Sequence, residues 1–360
     1  MPRKYIPQFE PWLGHEELMQ LNECIRDNWI TGGPKVKEFE ERIARMCQVK
    51  HAIACCNGTM ALYMGLIALG IGPGDDVIVP DFTFIASANA VVMTGAKPVF
   101  VDVLPDTFNI DVKSVLAAIT PKTKAIMPVH IYGQATDFRV LANISASYKL
   151  ALIEDAAQGV GVTYNNIPVG GIGDVGTLSF YADKTLTTGE GGMVLTDNDA
   201  IATRCLQLSH QGNTSKGTYI HDSIGYNFRM TDLQAAIGLA QLGKLPAILK
   251  MKKENELLYR KLLDGVVGFQ YVIPECDNVP FRVVVLVDNP EDLGGYLEEK
   301  GIGTKRVFYP LHRQPCYNTG QDLPVADDIY EHGLSLPSSA RLSHGDIEYV
   351  CGMIKEYYKR

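Results

Sequence analysis

The stretch Leu178–Gly192, "LSFYADKTLTTGEGG", sets one lysine, Lys184, between an apolar run and a burst of Thr and Gly, with Glu190 close behind. A lysine amine attacks a carbonyl carbon only after losing its proton, and burial away from water and other cations promotes that loss near neutral pH. A strand end beside a glycine-rich turn can hold an amine in that state. The competing reading is a lysine that snorkels from a sheet edge, with its stem on apolar surface and its head in water.

An acid upstream decides between the two. "ALIEDAAQG" puts Asp155 just beyond an apolar strand. A carboxylate there can pair with a protonated ring nitrogen and make a pyridine ring an electron sink, as pyridoxal phosphate (PLP) chemistry requires. Read alone, Asp155 is equally a cap for the next helix. Asn57-Gly58-Thr59 in "CCNGTMALYMGL" precede a helical pattern, so free N–H groups and a hydroxyl would face an anion at its start, although ordinary capping explains them too. Ser179 and the region around Asn227 offer further neutral phosphate ligands, and Phe84 either stacks on a flat ring or packs in the core. Gly171, Gly173 and Gly176 have the spacing of a dinucleotide fingerprint. That motif needs a strand before it and a helix after it, whereas here a turn precedes and a strand follows. The match is accidental, and there is no P-loop and no HExxH.

These residues hang on a recognisable frame. "DVIVP" (76–80), "PVFVDV" (98–103), "AIMPVHI" (125–131) and "LALIED" (150–155) are short, apolar and β-branched, and helical patterns lie between them. Such alternation predicts a parallel sheet covered on both faces, with ligands at the carboxyl ends of its strands, where Asp102, His130, Glu154 and Asp155 fall. After residue 230 a long helix, bent near Pro246, leads into a compact α+β unit. The expected division is a large α/β domain with the N-terminal segment, 1–250, and a small domain, 251–360.

At 360 residues, 46% hydrophobic and 21% charged, the chain has the composition of an ordinary globular protein with a substantial core. A net charge of -8 gives no support to a nucleic-acid or anionic-membrane partner. The start "MPRKYIPQFEPW" lacks the apolar core of a signal peptide, and 60–71 is too short and too Gly-broken to span a bilayer. The eight cysteines are scattered, with no zinc-like spacing. A cytoplasmic protein with reduced thiols and no metal is the expectation.

Over nearly its whole length the chain resembles the DegT/DnrJ/EryC1/StrS family of PLP-dependent sugar aminotransferases. The resemblance is carried in order by "NWITGGPKVKEFEE", "NGTMAL", "GIGPGDDVIVPDFTFIASANA", "GAKPVFVDV", "TKAIMPVHIYGQ", "IEDAAQ", "SFYADKTLTTGEGG", "GYNFRMTDLQAAIGLAQL" and "FYPLH". It implies an α/β fold of the aspartate aminotransferase type and a homodimer with shared sites. It also implies that Lys184 forms the Schiff base with PLP, Asp155 pairs with the pyridine nitrogen and Phe84 stacks on the ring. Gln158 lies beside the ring oxygen, Gly58, Thr59 and Ser179 hold the phosphate, and Asn227 reaches the neighbouring subunit's phosphate. Some members are dehydratases with His at this position, so a lysine implies amino transfer, with glutamate as donor.

Within the family, "VKHAIACCNGT", "TLTTGEGGM", "HDSIGYNFRMT" and "RVFYPLH" resemble the members that aminate C4 of GDP-4-keto-6-deoxymannose; UDP- or dTDP-linked sugars and C3 amination are the alternatives, and a PLP-binding regulator without turnover is a third. Three features depart from that pattern: Gln158 where Glu is common, "VPFRVVVLV" without an aromatic cluster, and "GTYIHD" without a Tyr-Trp pair. Tyr309 and His312 in "FYPLH" are candidates to face the sugar or else packed hinge residues, with Thr31 and Trp29 further candidates.

Overall fold

The computed structural model describes residues 5–213 and 219–360; "MPRK" and part of "GTYIHD" lie outside the described residues. The apolar runs form a seven-stranded sheet in the order His51–Cys55, Gly192–Thr196, Val175–Ser179, Ala151–Asp155, Thr123–Ile126, Asp76–Pro80 and Lys97–Val101. Gly192–Thr196 runs antiparallel to both of its neighbours, and the other pairings are parallel.

Side-chain alternation along these strands divides the core into two layers. Ile78, Ile126, Leu152 and Leu178 point to one face and pack with Phe39 and Ile43 of the helix Pro34–Cys47. Val77, Val79, Ile153 and Val194 point to the other face and pack with Leu62, Met64 and Leu66 of the helix Gly58–Ala68. That helix is apolar on all sides because it is sandwiched between the sheet and the helices Ala86–Met93 and Asp199–Ser209.

A second, antiparallel sheet joins Gly268–Phe269, Val283–Leu286, Gly333–Leu336 and Lys305–Arg306. The expected boundary at 250 lies inside one helix, Asp232–Leu262, which carries Pro246 in its interior. The chain also crosses between the units twice more. Ile6 bridges to Ile302 and is buried in the second core, so the first described residues sit with the small unit, whereas the helix Pro34–Cys47 packs on the large one. Cys276–Asp277 pairs with Thr163–Tyr164, and Cys276 and Val279 pack in the large core. Among the described residues no helix is long and apolar enough to cross a membrane.

The acids at the strand ends divide by the same alternation. Glu154 is fully buried, and its carboxylate accepts N–H bonds from Gly170 (2.7 Å), Ile172 (2.6 Å) and Gly173 (2.6 Å) while contacting His130 Nε2 at 3.0 Å. It pins the very loop that carries the misleading glycine spacing, and a strand, Val175–Ser179, follows as expected. Asp102 accepts the N–H groups of Val325 and Ala326 at a helix start. Glu154→Gln should therefore lower unfolding stability by about 3 kcal/mol, since buried N–H donors lose a charged acceptor. Denaturant titration reads this, and a change below about 0.5 kcal/mol would refute the structural role.

Candidate active site

A cavity of about 700 Å³ opens at the carboxyl ends of the parallel strands, between the two units. Lys184 lies on its wall. The loop that carries the lysine is closed on itself: Lys184 N–H bonds to the Tyr181 carbonyl (2.9 Å), Thr188 N–H to the Phe180 carbonyl (2.9 Å), and Phe180 N–H to the Gly191 carbonyl (2.8 Å). Gly189 turns the loop at φ +83°, where a side chain would be strained. Thr188 Oγ1 and Gln234 Nε2, the latter from the start of the long helix, both donate to the Glu190 carbonyl. The glycine-rich segment is thus a braced frame for one amine.

Burial pushes the Lys184 ammonium down from its ordinary value to about 8. Asp183 and Asp155 pull the other way, and Arg282 adds to the depression. The amine lies 4.3 Å from the centre of the Phe281 ring. This environment makes the neutral, reactive amine far more accessible near neutral pH than it is for an exposed lysine.

Asp155 faces the same cavity, one residue on from Glu154 and so on the opposite side of its strand. It is 5% exposed; Ser87 Oγ donates to Oδ2 at 2.7 Å and Ala157 N–H to Oδ1 at 3.1 Å. Both oxygens are oriented, and the site can present a fixed negative charge to a cation in the cavity. Across from it the helix Gly58–Ala68 begins. Asn57 caps it by accepting Met60 N–H at 3.0 Å, which leaves the first-turn N–H groups of Gly58 and Thr59 aimed outward. A Cβ on Gly58 would come within 2.8 Å of Ser179 Cβ, so glycine is what lets the helix start approach the strand end. Together Gly58, Thr59 and Ser179 could cradle a phosphate by backbone donors, hydroxyls and the helix dipole. Phe84 is 55% exposed, rests against Phe308 and presents a free ring to the cavity. Gln158 Oε1 accepts the Tyr132 N–H at 2.9 Å, so its amide is held in the cavity wall. Anion cradle, carboxylate, aromatic face and amine are the groups that a flat, phosphorylated pyridine aldehyde would need.

Other expected residues lie elsewhere in this chain. His312 is buried against Asp81, its N–H and Nδ1 each 2.7 Å from that carboxylate, and its Nε2 is 3.6 Å from Asp327. Tyr309 packs edge-on to Tyr330 at 4.9 Å under Arg313. Both sit outside the cavity lining and serve the junction between units. The cause is the alternation of an extended segment: Phe308, not Tyr309, faces the cavity. Thr31 is exposed and its carbonyl accepts Asp232 N–H, and Trp29 packs against Gly33. Neither lines the cavity. Asn227 is exposed, with Oδ1 accepting from Arg229 Nε at 3.4 Å, and it too is outside the lining.

No local signal in the sequence marks Phe281, Arg282, Lys305 and Phe308, which the second unit contributes to the wall. They lie on or beside short strands with no motif of their own, and only the packing of the two units brings them to Lys184.

This geometry agrees with what the comparisons find. The family model described as DegT/DnrJ/EryC1/StrS aminotransferase family matches residues 11–355. The GDP-perosamine synthase of Escherichia coli O157:H7 is 41% identical over 360 residues, 99% of each chain. That of Vibrio cholerae is 38% identical, covering 98% of this chain and 99% of its own. A Streptococcus pneumoniae protein solved in its PLP form matches with a TM-score of 0.94 at 29% identity, over 99% of both chains. The chain belongs to the DegT/DnrJ/EryC1/StrS aminotransferase family and is an aminotransferase with that family's α/β fold.

Proposed function

We propose that the protein is a PLP-dependent transaminase that moves the amino group of L-glutamate to C4 of a nucleotide-linked 4-keto-6-deoxy sugar, with GDP-4-keto-6-deoxy-D-mannose as acceptor and GDP-perosamine as product. The observation that carries the reading is the convergence of Lys184, of lowered proton affinity, and the buried Asp155 on one cavity that begins at a helix N-terminus. The GDP-perosamine synthases among the relatives support the choice of sugar.

PLP, when bound, supplies an electron sink for charge that develops at the carbon giving or receiving nitrogen. The residues of the chain do the rest. Gly58, Thr59 and Ser179 would hold the phosphate, Phe84 would cover the ring, and Gln158 would meet its edge. Asp155 would keep the ring nitrogen protonated. Lys184 would hold the cofactor through its amine and, once that amine is released, would serve as base and then acid at Nζ. Asn227 acts across a homodimer, on the partner subunit's phosphate, which accounts for its place outside this chain's own cavity.

The test is an absorbance spectrum of the purified protein, before and after L-glutamate, followed by a panel of GDP-, UDP- and dTDP-linked 3- and 4-keto sugars. The expected result is a visible band that moves to the near-ultraviolet with glutamate, then amination of the GDP-linked 4-keto sugar. A protein that remains colourless after PLP is added would overturn the reading and move a binding role forward. Amination of a UDP or dTDP sugar alone would change the substrate and keep the chemistry.

A further inference from the structure

The side-chain cations lining the cavity, among the described residues, are Lys184, Arg282 and Lys305, and the lining acids are Asp155, Asp183 and Glu190. Lys184 and Asp155 have roles in the proposed reaction; Arg282 and Asp183 do not. Arg282 is 8% exposed and its Nη2 donates to Asp183 Oδ2 at 2.8 Å. Asp183 is the residue immediately before Lys184. Arg282 also lies over the Phe281 ring, at 5.1 Å, the same ring that Lys184 approaches to 4.3 Å. A guanidinium is thus held beside the reactive amine by a carboxylate from the protein's own chain.

We infer that Arg282 is the anchor for the carboxylate of the amino donor, and that Asp183 occupies it as a stand-in until the donor arrives. The inference rests on the transaminase reading above and names the group that would recognise the donor. Its logic is one of geometry and charge. A donor amino acid must bring its nitrogen to the place of the Lys184 amine, and its carboxylate is one carbon away from that nitrogen. The cation required is therefore one close to Lys184, not one that reaches the far end of a nucleotide sugar, where the phosphates lie several bonds from the carbonyl carbon. Arg282 is tethered to the residue next to Lys184 and meets that condition. Guanidinium binds carboxylate through a planar fork, whereas the contact with Asp183 uses a single nitrogen. A two-point contact with an incoming carboxylate can displace the one-point contact with Asp183. The exchange keeps the guanidinium paired at every stage, which a nearly buried cation needs.

The test is calorimetric binding of two unreactive probes to the PLP-saturated protein: glutarate, which has the donor's carboxylates without its amine, and GDP, which has the acceptor's phosphates without its sugar. Arg282→Gln should weaken glutarate by ~10- to 100-fold, the loss of a charge-assisted hydrogen bond, and leave GDP within about twofold. Asp183→Asn, which frees the guanidinium, should tighten glutarate by about fivefold, the scale of a partly exposed ion pair. Misfolding can mimic the first result but not the second. Loss of GDP with glutarate unchanged would assign the cation to the nucleotide and overturn the inference. Unchanged binding of both, or no saturable glutarate binding to the unaltered protein, would overturn it as well. Failure of the transaminase reading is seen separately, as the absence of any spectral change when glutamate is added to the unaltered protein.

Discussion

Lys184→Ala is expected to lower turnover by ~10²–10⁴-fold at least, the range associated with loss of a positioned acid–base group, while PLP is still retained by the phosphate and ring contacts. The second half of that statement separates chemistry from binding. Gly58, Thr59, Ser179, Phe84 and Asp155 contact the cavity from elements that do not depend on the lysine side chain. Equilibrium dialysis of PLP against the variant should show binding weakened but saturable, and the keto-sugar assay should show activity near background. Near-normal turnover would refute the assignment of Lys184. The same lysine makes a pH prediction on the unaltered, cofactor-free protein. Its amine must be neutral to capture an aldehyde, and burial brings its proton affinity down to about 8. The rate of PLP capture should rise with pH, reach half its limit at about 8 and level off above that, whereas an exposed lysine would reach half its limit only at ~10.4.

The origin of that low proton affinity is local. Desolvation is the largest influence on Lys184, and Asp183 and Asp155 oppose it. Arg282 helps by adding a second positive charge near the amine and by occupying Asp183, which would otherwise stabilise the ammonium. The ion pair thus links donor recognition to the state of the lysine. Displacing Asp183 from Arg282 frees a carboxylate to favour the protonated amine.

What could be read from the sequence, and what could not, follows from how far each feature depends on distant contacts. Strands such as Asp76–Pro80 and Ala151–Asp155 are legible because burial on both faces demands an unbroken apolar run, and the helix Gly58–Ala68 because Asn57 announces its start. Lys184 and Asp155 are legible because each sits at a strand end of the large sheet, where ligands collect. The second unit is harder. Its strand Lys305–Arg306 is two residues long, and the sequence run around it says nothing about which face meets the cavity. That ambiguity of one residue is why Tyr309 stood in the expectation where Phe308 stands in the structure, whereas His312 is turned away by its bonds to Asp81. Likewise, the long helix after residue 230 is legible, but a boundary at 250 falls within it, because one continuous helix, Asp232–Leu262, serves both cores. The role of Glu154 is not legible beside that of Asp155, because it depends on the distant loop whose Gly170 and Gly173 N–H groups its carboxylate accepts.

Asp155→Asn is expected to be nearly as severe as Asp155→Ala, and that equality is the informative result. Asparagine keeps the size of the side chain. Its amide oxygen can still accept the Ala157 N–H, and its NH₂ can donate to Ser87 Oγ in place of the bond that Ser87 now gives. The fold and the cavity should survive with little change. Only the charge is removed. In a site this buried, an opposite charge within hydrogen-bond reach raises the proton affinity of a ring nitrogen by roughly 2 units, which is ~2.7 kcal/mol, or about a hundredfold in the rate of any step that draws on the protonated ring. The loss should fall on kcat in both half-reactions, with glutamate and with the keto sugar, because both draw on the same ring. Substrate affinity should change far less, since the role proposed for Asp155 is to pair with the cofactor ring and not with the sugar. If asparagine retained more than about half of normal turnover, the carboxylate would be a structural acceptor for Ser87 and Ala157 alone. The activation of the ring would then have to come from another group lining the cavity. Ser87→Ala provides the complementary control. It removes one orienting bond but leaves the charge, and should cost no more than about tenfold, the worth of a single hydrogen bond to a charged partner that retains another donor.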